Sequence, residues 1–129
     1  MSYTLDKILS QMSFSQAVEM TKQALSRHGF GVLTEIDVKA TMKKKLDADV
    51  SDYMILGACN PKMAFEALTV EPRVGAMLPC NVIVGTVDGG EIMVSAIDPV
   101  ASMQAIDNPA LKSKAAAVRA MLAAVVEEL

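Results

Sequence analysis

The sequence predicts an α+β domain: one antiparallel sheet with helices on one face, in the order β-α-β4-α, with short helices inserted between strands. Three observations carry this. Residues 13–25 and 109–129 each place apolar residues at helical spacing. The segments between them alternate with period two or form compact apolar runs. The last two strands are joined by Asp88-Gly89-Gly90, whose positive-φ residues make a tight antiparallel hairpin. That hairpin leaves no room for the helix a doubly wound parallel fold needs there. At 129 residues the chain is read as a single domain, 1–129. A chain of this size buries about two-thirds of its unfolded surface, so it needs no metal or disulfide to fold.

Residues 3–9 alternate loosely and form a first strand. Ser13, with Gln16 three residues on, makes a capping box that opens the first helix. Phe14, Ala17, Val18, Thr21, Ala24 and Leu25 form its apolar stripe, and Gly29 terminates it. Residues 31–38 alternate with Val32, Thr34, Ile36 and Val38 on one side. Residues 39–46 read as a short helix with Met42 and Leu46 inward. Tyr53–Ala58 is a compact apolar run and reads as a central strand. Asn60-Pro61, Asp98-Pro99 and Asn108-Pro109 each precede a helix-like segment. Asn or Asp serves as N-cap, and proline suits the first helical position. Pro79 opens the strand CNVIVGTV, and EIMVSAI returns beside it. In the last helix Leu111, Ala115, Val118, Leu122, Val125 and Leu129 recur on one face.

Hydrophobic residues make up 52% and charged residues 21%, with a net charge of −3. Lys43-Lys44-Lys45 is the one basic run, and it reads as a solvated helix face. Nucleic-acid binding needs a wider basic footprint with aromatic platforms, so nucleic acid is not a predicted partner. The amino terminus lacks the basic start and apolar core of a signal peptide, and no run reaches 18 apolar residues. A soluble, cytoplasmic protein follows, with no membrane partner and with thiols rather than a disulfide. The ten methionines show no M-x-x-M repeat. They read as adaptable core filler rather than thioether ligands. Glu127-Glu128 reads as a solvated tail, and His28 as a helix-end residue rather than a ligand.

The two cysteines stand in similar surroundings: L-G-A-C-N-P at 56–61 and L-P-C-N-V at 78–82. In a meander the strands at 53–58 and 80–87 are antiparallel neighbours, so Cys59 and Cys80 meet at one edge. Their Cα atoms are expected within about 8 Å. Asn60 has a structural duty as a helix cap. Asn81 has none, and its carboxamide is expected to cross to the other corner, toward the backbone around residues 57–60 or toward a bound ligand or water under the inserted flap.

Y-M-I-L-G-A-C-N-P at 53–61, E-P-R-V-G-A-M-L-P-C-N-V-I-V at 71–84 and Asp98-Pro99 together resemble the family called domain of unknown function 302, over nearly the whole chain. The resemblance implies a single-copy TATA-binding-protein-like fold and a tendency to dimerise. It implies no activity. The family's motif positions here are Gly57, Cys59, Asn60, Pro61, Gly75, Pro79, Cys80 and Asn81.

The leading functional expectation is a small ligand-binding or sensing module, with a polar cleft built from Cys59, Asn60, Cys80 and Asn81. One alternative is a thiol-dependent redox or sulfur-transfer enzyme using Cys59 and Cys80, since a helix N-terminus behind Cys59 favours thiolate. The other is a structural or interaction dimer. No Ser-His-Asp elbow, Walker loop or dinucleotide fingerprint is present. No cofactor and no metal are predicted. The predicted partners are a second copy of the chain and a small molecule.

Overall fold

In the computed structural model, which describes residues 2–129, every paired strand is antiparallel to its neighbour. The strands are β1 (Thr4–Leu9), β2 (Gly31–Asp37), β3 (Tyr53–Cys59), β4 (Cys80–Thr86) and β5 (Ile92–Ile97). The helices are α1 (Phe14–Arg27), α2 (Val38–Leu46), α3 (Pro61–Val70), α4 (Pro99–Ser102) and α5 (Pro109–Glu128). The sheet order is β1-β5-β4-β3-β2. Strands β2 to β5 form the meander, and β1 closes the far edge with Leu5 opposite Ala96 and Leu9 opposite Ile92.

Local chemistry explains the boundaries. The Ser13 side chain accepts from the Gln16 N–H at 3.1 Å, and Gln16 Oε1 accepts from the Ser13 N–H at 2.8 Å. At the other end of α1, Gly29 takes φ 85°, a conformation that a Cβ disfavours. The N–H of Phe30 then donates to Leu25 O at 2.9 Å and that of Gly29 to Ser26 O at 3.2 Å. These two bonds make a Schellman motif, which turns Phe30 into the interior. In the β4–β5 hairpin Gly89 and Gly90 have φ near 80°, at 82° and 81°.

One sheet face carries Leu56, Ala58, Val82, Val84, Val94 and Ala96, all buried. Helices α1 and α5 cover it with Ala17, Ala24, Leu25, Leu122 and Val125. Full burial of each Val or Leu contributes about 1.5–3 kcal/mol. A second, smaller cluster joins Ala67 of α3, Val74 of a 3₁₀ turn (Pro72–Met77), Met103 after α4, and Leu111 and Ala115 of α5. Among the described residues, the other sheet face has no helix layer matching α1 and α5. Register places Ile8 beside Met93, and Ile55 beside Ile36 and Ile83. Ile8 and Ile36 are about half exposed, at 49% and 47%.

Three expectations are corrected. Val32 and Thr34 do not share a face, because the register slips between them: Val32 pairs with Ala58 and Thr34 with Gly57. The extra residue, Leu33, reverses the alternation as a bulge does. Val38 opens α2 instead of extending β2, because Asp37 Oδ1 caps Ala40 N–H at 2.9 Å. Leu46 is not inward but 71% exposed, since α2 lies at the sheet margin and buries no residue fully. Among the described residues, no helix is long and apolar enough to cross a membrane.

Candidate functional site

The three Asx-Pro pairs act as the sequence predicts. Asn60 Oδ1 accepts from Met63 N–H at 3.1 Å and starts α3. Asp98 Oδ1 accepts from Val100 N–H at 2.9 Å and starts α4. Asn108 Oδ1 accepts from Leu111 N–H at 3.2 Å and starts α5. Asn108 Nδ2 also donates to Val70 O at 2.9 Å, tying the end of α3 to the start of α5. These caps set α3, α4 and α5 around one end of the sheet.

At that end β3 finishes with Cys59 and β4 begins with Cys80. Cys80 pairs directly with Ala58, so Cys59 stands one residue further along, diagonal to it. Strand spacing near 4.8 Å and a rise near 3.4 Å put their Cα atoms roughly 6 Å apart. Both thiols are free; Cys80 is buried and Cys59 half-buried.

Between the strand ends and the three helices lies a cavity of about 40 Å³. Cys59, Asn60 and Cys80 line it, with Ala58, Leu78 and Pro79. Phe30 reaches it from the end of α1, Met63, Ala64 and Ala67 from α3, and Pro99 and Met103 from α4. Leu111, Lys114, Ala115 and Val118 of α5 complete it. The expected polar character is therefore corrected. Apart from the two thiols, the polar side chains at its wall are Asn60, held by its cap, and Lys114. Lys114 Nζ pairs with Glu66 Oε2 at 3.2 Å, latching α5 to α3 across the cavity.

Asn81 lies outside this cavity. It is exposed in a separate surface groove with Met77 and Ile97. Its Cα is opposite Gly57, but its carboxamide makes no hydrogen bond to residues 57–60 comparable to the Asn60 cap. Strand alternation is the reason: Cys80 faces the helices, so Asn81 faces away from them. Gly57 is a point of close approach. A Cβ there would overlap the Thr34 hydroxyl and lie 2.8 Å from Pro79 Cγ.

Burial pushes the Cys80 thiol up from 9.0 to about 11, and the nearby Cys59 adds to this. Among the described residues no group of three or more His, Cys, Asp and Glu side chains is arranged to hold a metal ion. His28 is the C-cap of α1, with Nε2 3.4 Å from Glu128 Oε1. Glu128 is thus not a free tail: it also takes Arg27 at 2.7 Å.

Sequence reasoning missed Met63, Met103 and Lys114. Lys114 left a signal, since it falls three residues after Leu111 on the inward stripe of α5. Met63 and Met103 left none, because their places depend on how α3 and α4 dock.

The fold and its cysteine corners define a class: a small α+β domain with a five-stranded antiparallel sheet and a cavity closed by capped helices. The pattern of the family described as domain of unknown function DUF302 matches residues 6–129, and the chain belongs to that family. It is similar to the solved structure of an uncharacterized conserved DUF302 protein from Bacillus stearothermophilus. The TM-score is 0.90 at 27% identity, with 98% of each chain covered. No curated protein matches the chain.

Proposed function

We propose that the protein is a small ligand-binding or sensing module whose site is the cavity between the Cys59 and Cys80 corners. The observation that supports it is the convergence of both strand ends and three separately capped helices on one cavity whose lining includes Cys59 and Cys80, neither in a disulfide. The α3 segment and the 3₁₀ turn, inserted between β3 and β4, serve as the flap over it. Free thiols suit a reducing compartment such as the cytoplasm.

A thermal-shift screen of small molecules tests this reading, with alkylation of Cys59 and Cys80 followed by mass spectrometry. A true ligand raises the melting temperature and slows alkylation of at least one cavity thiol. Stabilising compounds that all leave both alkylation rates unchanged would place the binding elsewhere and end the proposal. The thiol-enzyme alternative has against it the upward shift of Cys80, which disfavours thiolate at neutral pH.

The same reading includes a homodimer, formed through the open sheet face. Ile8, Ile36, Ile55, Ile83 and Met93 form an apolar strip on that face, bordered by Asp6, Ser95, Thr34 and Asn81. Contiguous apolar surface of this kind marks an interaction site, and a self-complementary face suits a two-fold pair. Light scattering of a dilute solution is expected to give twice the chain mass. A species of 13.7 kDa alone would overturn the dimer.

A further inference from the structure

The cavity at the strand ends is framed by short side chains. Ala58 of β3, Ala64 and Ala67 of α3, and Ala115 of α5 all line it. Protein interiors are otherwise close-packed, and four alanines from three elements together leave this space open. Phe30, Met103 and Leu111, each buried, complete the deep wall. Resting on the proposal that this cavity is the binding site, we infer that what it binds is an uncharged alkyl group of about one to three carbon atoms.

Size argues first. A single water needs roughly 10–15 Å³ of cavity and takes about 30 Å³ in the liquid. A drug-sized organic ligand occupies roughly 300–1,000 Å³. A cavity of about 40 Å³ holds a group somewhat larger than a water and excludes a cofactor.

The chemistry of the wall argues next. Among the described residues no buried side-chain nitrogen or oxygen lacks a hydrogen-bond partner. Asn60 Oδ1 accepts from Met63 N–H at 3.1 Å, and Asn60 Nδ2 lies against Gly29, 3.1 Å from where a Cβ there would stand. Lys114 is the charged residue of the lining, and its Nζ holds Glu66 Oε2. Burial keeps the Cys80 thiol protonated, with its pKa pushed up to about 11. A polar or ionic ligand atom would therefore give up its water with no free partner in return, which is costly. An alkyl group gives up nothing of that kind. It restores the dispersion contacts that atoms lining a void forgo.

The way in lies between α3 and α5. Met63, Ala64 and Lys114 are the half-buried lining residues of those helices, whereas Ala67, Leu111 and Ala115 are buried deeper. An alkyl group entering there reaches the alanines first and Met103 last.

The test is methyl NMR of the full chain with ethane, methanol and methylammonium. Each probe has two heavy atoms, so the three differ in polarity and charge rather than in size. Ethane should shift the methyl signals of Ala67, Met103 and Ala115 saturably. Methanol should need at least about tenfold more for the same effect, because its hydroxyl goes unpaired, and methylammonium should leave the signals unmoved. Benzene, which an apolar cavity of about 150 Å³ accepts, should stay out. Ala64→Leu should fill the space and abolish the ethane response, with circular dichroism confirming the fold. The probe series needs no variant, so it decides the matter even where Ala64→Leu does not fold. Methanol or methylammonium bound as tightly as ethane, entry of benzene, or no ethane response at all would overturn the inference. An ethane response that survives in folded Ala64→Leu would overturn it too. Polar or charged compounds that protect a cavity thiol in the wider screen would also overturn it while leaving the cavity as the binding site, so the two failures are distinguishable.

Discussion

The two Cys-Asn corners share their letters and differ in their physics. At the first, Cys59 ends a strand and is half-buried, and Asn60 caps the helix that follows. At the second, Cys80 begins a strand within the core face, and Asn81 is exposed on the opposite side. The difference follows from what comes after each asparagine. Asn60 precedes Pro61 and a helix, so its carboxamide meets orphan N–H groups. Asn81 is followed by four more residues paired with β3, so the pleat decides its direction. Similar motifs therefore give one structural asparagine and one surface asparagine around a shared pair of thiols.

Substitutions break or sharpen this contrast in a graded way. The largest effect is expected at Gly57, which the first corner shares with Thr34 and Pro79. Gly57→Ala places a methyl into occupied space and should cost about 1–3 kcal/mol in a denaturant melt. A neutral result would mean that Thr34 and Pro79 yield freely. Asn60→Ala removes the α3 cap and should cost about 1 kcal/mol, with Asn60→Asp recovering most of it. If Asn60→Asp is as damaging as alanine, the carboxamide has a duty beyond the cap.

Asp98 comes next, at the cap of α4 behind the second corner. Burial raises its pKa, but Arg119 at 2.9 Å and the Val100 and Ala101 N–H groups outweigh this and hold it below its usual value. A lowered folded pKa contributes stability that is present above the unfolded carboxyl value, near 3.9. That contribution is lost as pH falls through the lower folded value. Asp98→Asn should therefore flatten part of the acid limb of the stability profile, and an unchanged limb would assign it to other groups. The smallest effect is Asn81→Ala, within about 0.5 kcal/mol. A larger loss would restore the cross-link that the sequence leads one to expect.

Much of the fold was legible because local chemistry decides it. The Ser13–Gln16 capping box, the three Asx-Pro caps and the glycine hairpin are each complete within a few residues. The meander followed from the order of these elements. The place of β1 beside β5 was not legible, since its pairing spans about 90 residues and no local signal names the partner. The bulge at Leu33 was hidden in a strand that alternates well on paper. At the site, the meeting of Cys59 and Cys80 could be read from strand order. The polarity could not: the lining is contributed mainly by α3, α4 and α5, whose docking depends on packing rather than on the Cys-Asn motifs.

The inequality of the two thiols is tested most directly by alkylation of each cysteine as a function of pH, resolved by mass spectrometry. Burial and the neighbouring Cys59 hold Cys80 near 11, so at pH 8 it should react roughly a few hundredfold more slowly than an ordinary thiol of pKa near 8.5. Its rate should climb until the pH approaches 11, while half-buried Cys59 is modified first. The linked stability has the same sign: it is full below the unfolded thiol value and is lost as pH rises toward the folded one. Cys80 modified at pH 8 as fast as an ordinary exposed thiol would contradict the account.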